Sequence, residues 1–217
     1  MIKAILFDLD GTFADTAPDL AAALNHARAS RNLPPLPIEK LRPHASHGSR
    51  GLIETGFGIK PGHPDYDPLR DIFLDYYARH ICVHTRLFGG MAQLIGELKL
   101  RGIKWGIVTN KPHHLTMPLM QALGYADLAD CLISGDTCAH AKPHPEPMHK
   151  ACQLIGVTPA QCLYLGDDQR DMQAASAAGM PGIIANYGYV GDDASIANWN
   201  ARGSVDKPTE LIGYLTL

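Results

Sequence analysis

Five short apolar runs punctuate the chain, and each one ends in a polar residue. They are Ala4 to Phe7, Ile103 to Val108, Cys131 to Ile133, Cys162 to Leu165 and Gly182 to Ala185. The runs are continuous rather than alternating, as in strands buried on both faces of a parallel sheet. Between them the apolar positions take helical spacing. Met91, Leu94, Ile95 and Leu98 share a face before Gly102. Met148, Cys152 and Ile155 repeat the pattern before Gly156, and Met172, Ala175 and Ala178 before Gly179. A glycine just past the last periodic residue is a common helix stop. Strands alternating with helices predict an α/β fold with a doubly wound parallel sheet. Ligands of such sheets sit beyond the carboxyl ends of the strands. Asp8, Thr109, Asn110, Ser134, Asp167, Asp168 and Asn186, which follow the runs, are therefore expected at one edge.

The stretch from Thr16 to Arg86 reads differently. Leu20, Ala23, Leu24 and Ala27 line one helical face, and Leu69, Ile72, Phe73 and Tyr76 another, with no buried strand between them. This predicts an all-helical domain, residues 16–86, inserted into a core made of residues 1–15 and 87–217. Thr16 and Asp19 are spaced as a capping box, with Pro18 inside the first turn. The proline- and glycine-rich segments 31–37 and 58–68 are expected to link helices.

A chain of 217 residues can bury one core with a smaller module attached. Its net charge of -3, without long like-charged blocks, offers no basic field for nucleic acid. No apolar run approaches a membrane span, and the N-terminus lacks the apolar region of a signal peptide. The five cysteines, Cys82, Cys131, Cys138, Cys152 and Cys162, are scattered and form no C-x-x-C pair. Reduced thiols in a cytoplasmic protein, monomeric or homodimeric, are the expectation.

Asp8 and Asp10 stand two apart at a strand end, so their side chains leave on one face. Like charges so close repel unless a cation lies between them. Three further polar pieces end later strands: Thr109-Asn110-Lys111, Lys142-Pro143 in the loop after the third run, and Gly166-Asp167 through Asp171. Magnesium (Mg2+) prefers oxygen ligands. Asp8, the Asp10 backbone carbonyl and Asp167 can supply them, with Asp171 ligating or orienting bound water. Asp8 beside such a metal can attack phosphorus and form an aspartyl-phosphate. Asp10 can protonate the leaving alcohol and then activate water. Thr109 and the Asn110 amide can donate to phosphoryl oxygens, while Lys142 keeps Asp8 ionised and stabilises the transferring group.

In this order the four pieces resemble motifs I to IV of the haloacid dehalogenase superfamily. The resemblance implies a Rossmann-like core, Asp8 as nucleophile, Asp10 as acid and base, and a helical type 1 cap that closes over the site. Dehalogenases of the superfamily lack the second aspartate, so Asp10 favours phosphate chemistry. Phe13 replaces the usual Leu after D-G-T, and Asp168 stands where Ser or Thr often follows the motif IV aspartate. Within the superfamily the chain is similar to the phosphoglycolate phosphatase-like group. The stretches 82–91, 105–112, 141–147 and 166–171, and a tail carrying YGYV, Asn198-Trp199 and Val205 to Pro208, resemble N-acetylmuramic acid 6-phosphate phosphatases. The expected activity is Mg2+-dependent hydrolysis of a small phosphorylated metabolite, N-acetylmuramic acid 6-phosphate or 2-phosphoglycolate. A sugar-phosphate mutase or other phosphotransferase on the same fold, or a binding module without catalysis, are the alternatives.

Other positions carry weaker signals. Arg50, in the segment SHGSRGL at 46–52, can reach a substrate carboxylate or hydroxyl, or simply stand on the surface at a helix N-terminus, and Ser49 beside it is a weaker candidate. His44 and His47 are secondary candidates there. His140, His144 and His149 cluster in sequence, but their spacing matches no common zinc pattern. His113 and His114 are expected to open a helix at the surface. Trp105 reads as sheet core and Trp199 as packing in the C-terminal loop.

Overall fold

A computed structural model describes residues 1–190 and 196–215. The chain opens with β1 (Ala4–Phe7), every residue of it buried, followed by the two-residue β2 (Ala14–Asp15). Four helices come next: α1 (Ala17–Ala29), α2 (Ile38–Leu41), α3 (Gly48–Phe57) and α4 (Tyr66–Arg79). The short β3 (Arg86–Leu87) then pairs antiparallel with β2. Beyond it helices and strands alternate, through α5 (Met91–Leu100), β4 (Lys104–Val108), α6 (His113–Leu123), β5 (Cys131–Ile133), α7 (Glu146–Ile155), β6 (Cys162–Gly166), α8 (Gln169–Ala177), β7 (Gly182–Ala185) and β8 (Gly203–Val205). The sheet is parallel and six-stranded, in the order β5-β4-β1-β6-β7-β8. All five expected strands are present. The additional strand, β8, has only Val205 buried, so it lacks an apolar run to announce it.

Alternation along β1 divides the core. Ile5 and Phe7 face a layer that includes Trp105, Ile107, Leu94 and Leu98. Ala4 and Leu6 face the other side, with Met148, Cys152, Ile155 and Met172. Phe13, the departure from Leu, stacks on Trp105 with ring centroids 5.5 Å apart. A third apolar cluster joins the helices between β2 and β3, through Leu20, Leu24, Leu52, Phe73 and Tyr77. The inserted segment is thus helical, as expected, and packs around its own apolar centre. Among the described residues no helix is long and apolar enough to cross a membrane.

The capping box at the start of α1 does not form. Thr16 has helical backbone angles and makes no cap hydrogen bond. Its hydroxyl instead donates to Asp10 at 2.6 Å. Asp19, 2 % exposed, accepts from the backbone N–H of His84 and Thr85 and from the Thr85 hydroxyl at 2.7 Å. A buried carboxylate gains more from several full donors than from one helix-end amide. Asp19 therefore ties α1 to the strand that leaves the inserted segment.

Candidate active site

Register places the strand ends at one level. Phe7 lies opposite Ile107 of β4 and Leu165 of β6, so Asp8, Thr109 and Asp167 leave their strands within one residue of the same level. Gly11 turns the chain away with a φ of +86°, and a Cβ there would run into the Asp167 carboxylate. That position requires glycine on both counts. Gly166 has the same closeness to Asp171, so β6 and α8 meet without a side chain between them.

Lys142 stands at the centre, 5 % exposed. Its Nζ lies 2.9 Å from Asp8 Oδ1, 2.7 Å from Asp171 Oδ1, 2.9 Å from the Val108 carbonyl and 2.8 Å from the Tyr164 hydroxyl. Burial works against its charge, but Asp171 and Asp8 outweigh that and raise its pKa. The Asn110 side chain accepts from Lys142 N–H at 2.9 Å and donates to its carbonyl at 2.8 Å. Asn110 thus holds the lysine's backbone, a role its place in the sequence does not reveal. The Thr109 hydroxyl oxygen accepts the Lys111 N–H at 3.2 Å, which leaves its own O–H to donate.

Asp8, Asp167 and Asp171 bring one oxygen each within 4.8 Å of one another, all buried. Asp167 also accepts from Thr12 at 2.7 Å, from Ser46 at 2.8 Å and from the Tyr189 N–H at 2.9 Å. Burial pushes the Asp167 carboxyl well up, with Asp8 and Asp171 adding to it. Burial also raises Asp171, to about 7, against the opposing pull of Lys142. Lys142 pairs with Asp8 and Asp171, while Asp167 has no cationic partner among the described residues. An all-oxygen, acidic set fits a hard divalent cation such as Mg2+.

Asp10 and Asp168 lie outside that triad. Asp168 caps α8 by accepting the Arg170 N–H at 2.8 Å, and pairs with the Arg170 guanidinium and with His47 at 3.4 Å. Burial alone would raise its pKa. The hydrogen bonds from Arg170 and His47 prevail and hold the carboxyl far below the usual range. The extra acid of motif IV is therefore neutralised locally.

The Asp10 carboxylate accepts from Thr16 and from Lys111 Nζ, at 2.9 and 3.3 Å. Lys111 is 8 % exposed, lies 2.9 Å from the Tyr77 hydroxyl and sits 4.6 Å over the Tyr77 ring. Burial opposes its charge, and Asp10 and Tyr77 overcome it, so its pKa is raised. The sequence marks Lys111 only as part of a polar strand end, because Tyr77 is remote in the chain. Lys111→Met is expected to lower kcat by about 10- to 100-fold, a part of the ~10²–10⁴ that acid–base catalysis supplies. Steady-state kinetics should show kcat falling more than KM rises; an unchanged kcat would remove Lys111 from the machinery.

A cavity of about 280 Å³ opens above Asp8, Asp10, Thr109 and Lys142. Ser49 and Arg50 of α3 line it, together with His47. His44 does not. Arg70, Phe73 and Leu74 of α4 also line it, as does His114, which is exposed, as expected. Among the described residues, neither Arg50 nor Arg70 has a hydrogen-bond or ion-pair partner.

A family model described as haloacid dehalogenase-like hydrolase matches residues 2–179. The N-acetylmuramic acid 6-phosphate phosphatase of Pseudomonas aeruginosa is 40% identical over 214 residues, which are 99% of this chain and 95% of that protein. A phosphoglycolate phosphatase of Xanthomonas campestris is 41% identical over 213 residues, 96% and 94% of the two chains. Among solved structures, a predicted phosphoglycolate phosphatase from Haemophilus somnus superposes with a TM-score of 0.86 at 28% identity, covering 98% of this chain and 97% of that one. CbbY of Rhodobacter sphaeroides, in complex with phosphate, superposes with a TM-score of 0.78 at 25% identity over 100% of both chains.

Proposed function

Since the chain belongs to the haloacid dehalogenase-like hydrolases and is a phosphatase, we propose that it cleaves a small phosphomonoester through an aspartyl-phosphate on Asp8, with Mg2+ in the acidic triad. The observation that carries this reading is the buried cluster of Asp8, Asp167 and Asp171, two of which, Asp8 and Asp171, pair with Lys142. When bound, the cation neutralises charge between the attacking carboxylate and the phosphate. Asp8 forms the new O–P bond as the bond from phosphorus to the leaving oxygen breaks. Asp10 hands a proton to that oxygen, then takes one from the water that attacks the phosphoenzyme. Lys142 stabilises charge on the phosphoryl oxygens, and the Thr109 hydroxyl and Asn110 N–H donate to them. Residues 16–86 act as the cap and residues 1–15 and 87–217 as the core, so substrate is enclosed between α3, α4 and the strand ends.

The cavity guides the substrate reading. Its apolar wall of Phe73 and Leu74 and its Arg50 and Arg70, unpaired among the described residues, suit a phosphate ester that carries a second anionic group on a sizeable body. N-acetylmuramic acid 6-phosphate meets that description, whereas 2-phosphoglycolate has only two carbons. Ser49 can serve the sugar hydroxyls. The five free thiols support a reducing compartment such as the cytoplasm.

Phosphate release from both compounds, with Mg2+ and with EDTA, tests this. We expect release only with the metal, and kcat/KM at least ~10-fold higher for the sugar phosphate. Release that requires an added hydroxyl acceptor would instead indicate a phosphotransferase. A preference for phosphoglycolate would overturn the substrate assignment while leaving the chemistry in place.

A further inference from the structure

The loop that carries Lys142 holds a second group of metal-binding side chains on its outer side. The sequence cluster of three histidines is regrouped there. His149 stays apart, and Glu146 joins His140 and His144, with one ligand atom from each within 4.8 Å of the others. We propose that His140, His144 and Glu146 form a metal site distinct from the acidic triad, which takes one zinc-class divalent ion.

The distances suit such an ion. Bonds of about 2.0–2.1 Å in tetrahedral geometry put neighbouring ligand atoms about 3.3 Å apart. Glu146 Oε2 lies 3.0 Å from His140 Nδ1 and 4.0 Å from His144 Nδ1, so the two separations bracket that value. The carboxylate is already held in place. It accepts the N–H of His140 at 3.1 Å and that of Ala139 at 3.4 Å. The two imidazoles face each other with ring centroids 4.4 Å apart. His144 Nδ1 accepts the Glu146 N–H at 3.2 Å, which places that ring's proton on Nε2 and leaves Nδ1 with the lone pair a metal needs. A metal takes over that lone pair from a long hydrogen bond. All three side chains are reachable, with exposures of 63%, 49% and 39%.

Ligand chemistry separates the two sites. Two imidazole nitrogens and one carboxylate select zinc, cobalt, nickel or copper, whereas the all-oxygen triad suits magnesium. Three protein ligands leave a fourth position for water. His140 and His144 flank Lys142 two residues away on either side. The bound ion therefore clips the loop to the first turn of α7 without touching the lysine's own partners.

Isothermal titration with Zn2+ in saturating Mg2+ tests the proposal, with Co2+ absorbance as a second readout. One equivalent of zinc should bind, and thermal unfolding should move to higher temperature. The double variant His140→Ala/His144→Ala should lose that equivalent. Its affinity should drop by more than the ~10–100-fold typical of an outer-shell change. The same variant should keep its Mg2+-supported phosphatase activity, which shows that it folds. Undiminished zinc binding by the double variant would overturn the site. So would loss of the zinc equivalent from Asp167→Asn but not from the double variant, because the ion would then occupy the triad. Titration does not depend on turnover, so this result stands apart from the test of the phosphatase mechanism.

Discussion

Asp8→Asn is expected to abolish turnover and leave the fold intact. The substitution keeps the size and shape of the side chain and removes its charge. An amide oxygen does not attack phosphorus, so no phosphoenzyme forms, and kcat should fall by about 10⁴-fold or more, as when other catalytic nucleophiles are removed. The structural cost is small. Lys142 loses the charge of one partner but keeps Asp171 at 2.7 Å, the Val108 carbonyl and the Tyr164 hydroxyl. The variant also relieves repulsion among Asp8, Asp167 and Asp171. In the absence of Mg2+, its urea midpoint should therefore match or exceed that of the parent. Acid quenching with labelled substrate gives the direct check: label should stay on the parent protein and not on the variant. Full activity in Asp8→Asn would end the nucleophile assignment.

The features legible in the chain were those with local causes. Continuous apolar runs announced β1, β4, β5, β6 and β7, because burial on both faces leaves almost no polar positions in them, exposed Lys104 at the start of β4 being the exception. β8 was silent, since an edge strand with one buried residue has no such run. The aspartates and Lys142 were legible because each follows a strand end or its adjoining loop. What the chain did not reveal depends on residues remote from one another. Asp19 has the spacing of a cap residue, yet it serves His84 and Thr85, and only folding brings them together. Lys111 points to Asp10 because Tyr77 of α4 packs above it. Arg70 gave no signal, because a single charge on an amphipathic helix reads as a solvated face until a cavity is found beneath it.

Lys142→Met carries the second large effect, and it separates two roles of the lysine. Methionine fills similar space without the charge. Loss of a preorganised cation at the phosphoryl group should lower kcat by about 10²–10³-fold. The stability effect depends on the metal. Without Mg2+ the substitution leaves Asp8, Asp167 and Asp171 close together and takes away the cation that pairs with Asp8 and Asp171. Removing one partner from a buried ion pair costs about 3–5 kcal/mol. On the proposed mechanism Mg2+ binds the native triad and not the unfolded chain, so saturating Mg2+ should restore part of that stability while activity stays low. Lys142→Arg should not rescue turnover. A planar guanidinium does not fit a pocket whose four oxygens surround one nitrogen. Urea unfolding with and without Mg2+ measures the difference. An equal loss in both conditions would mean that Lys142 does not balance the triad, and its activity effect would then belong to phosphate contact alone.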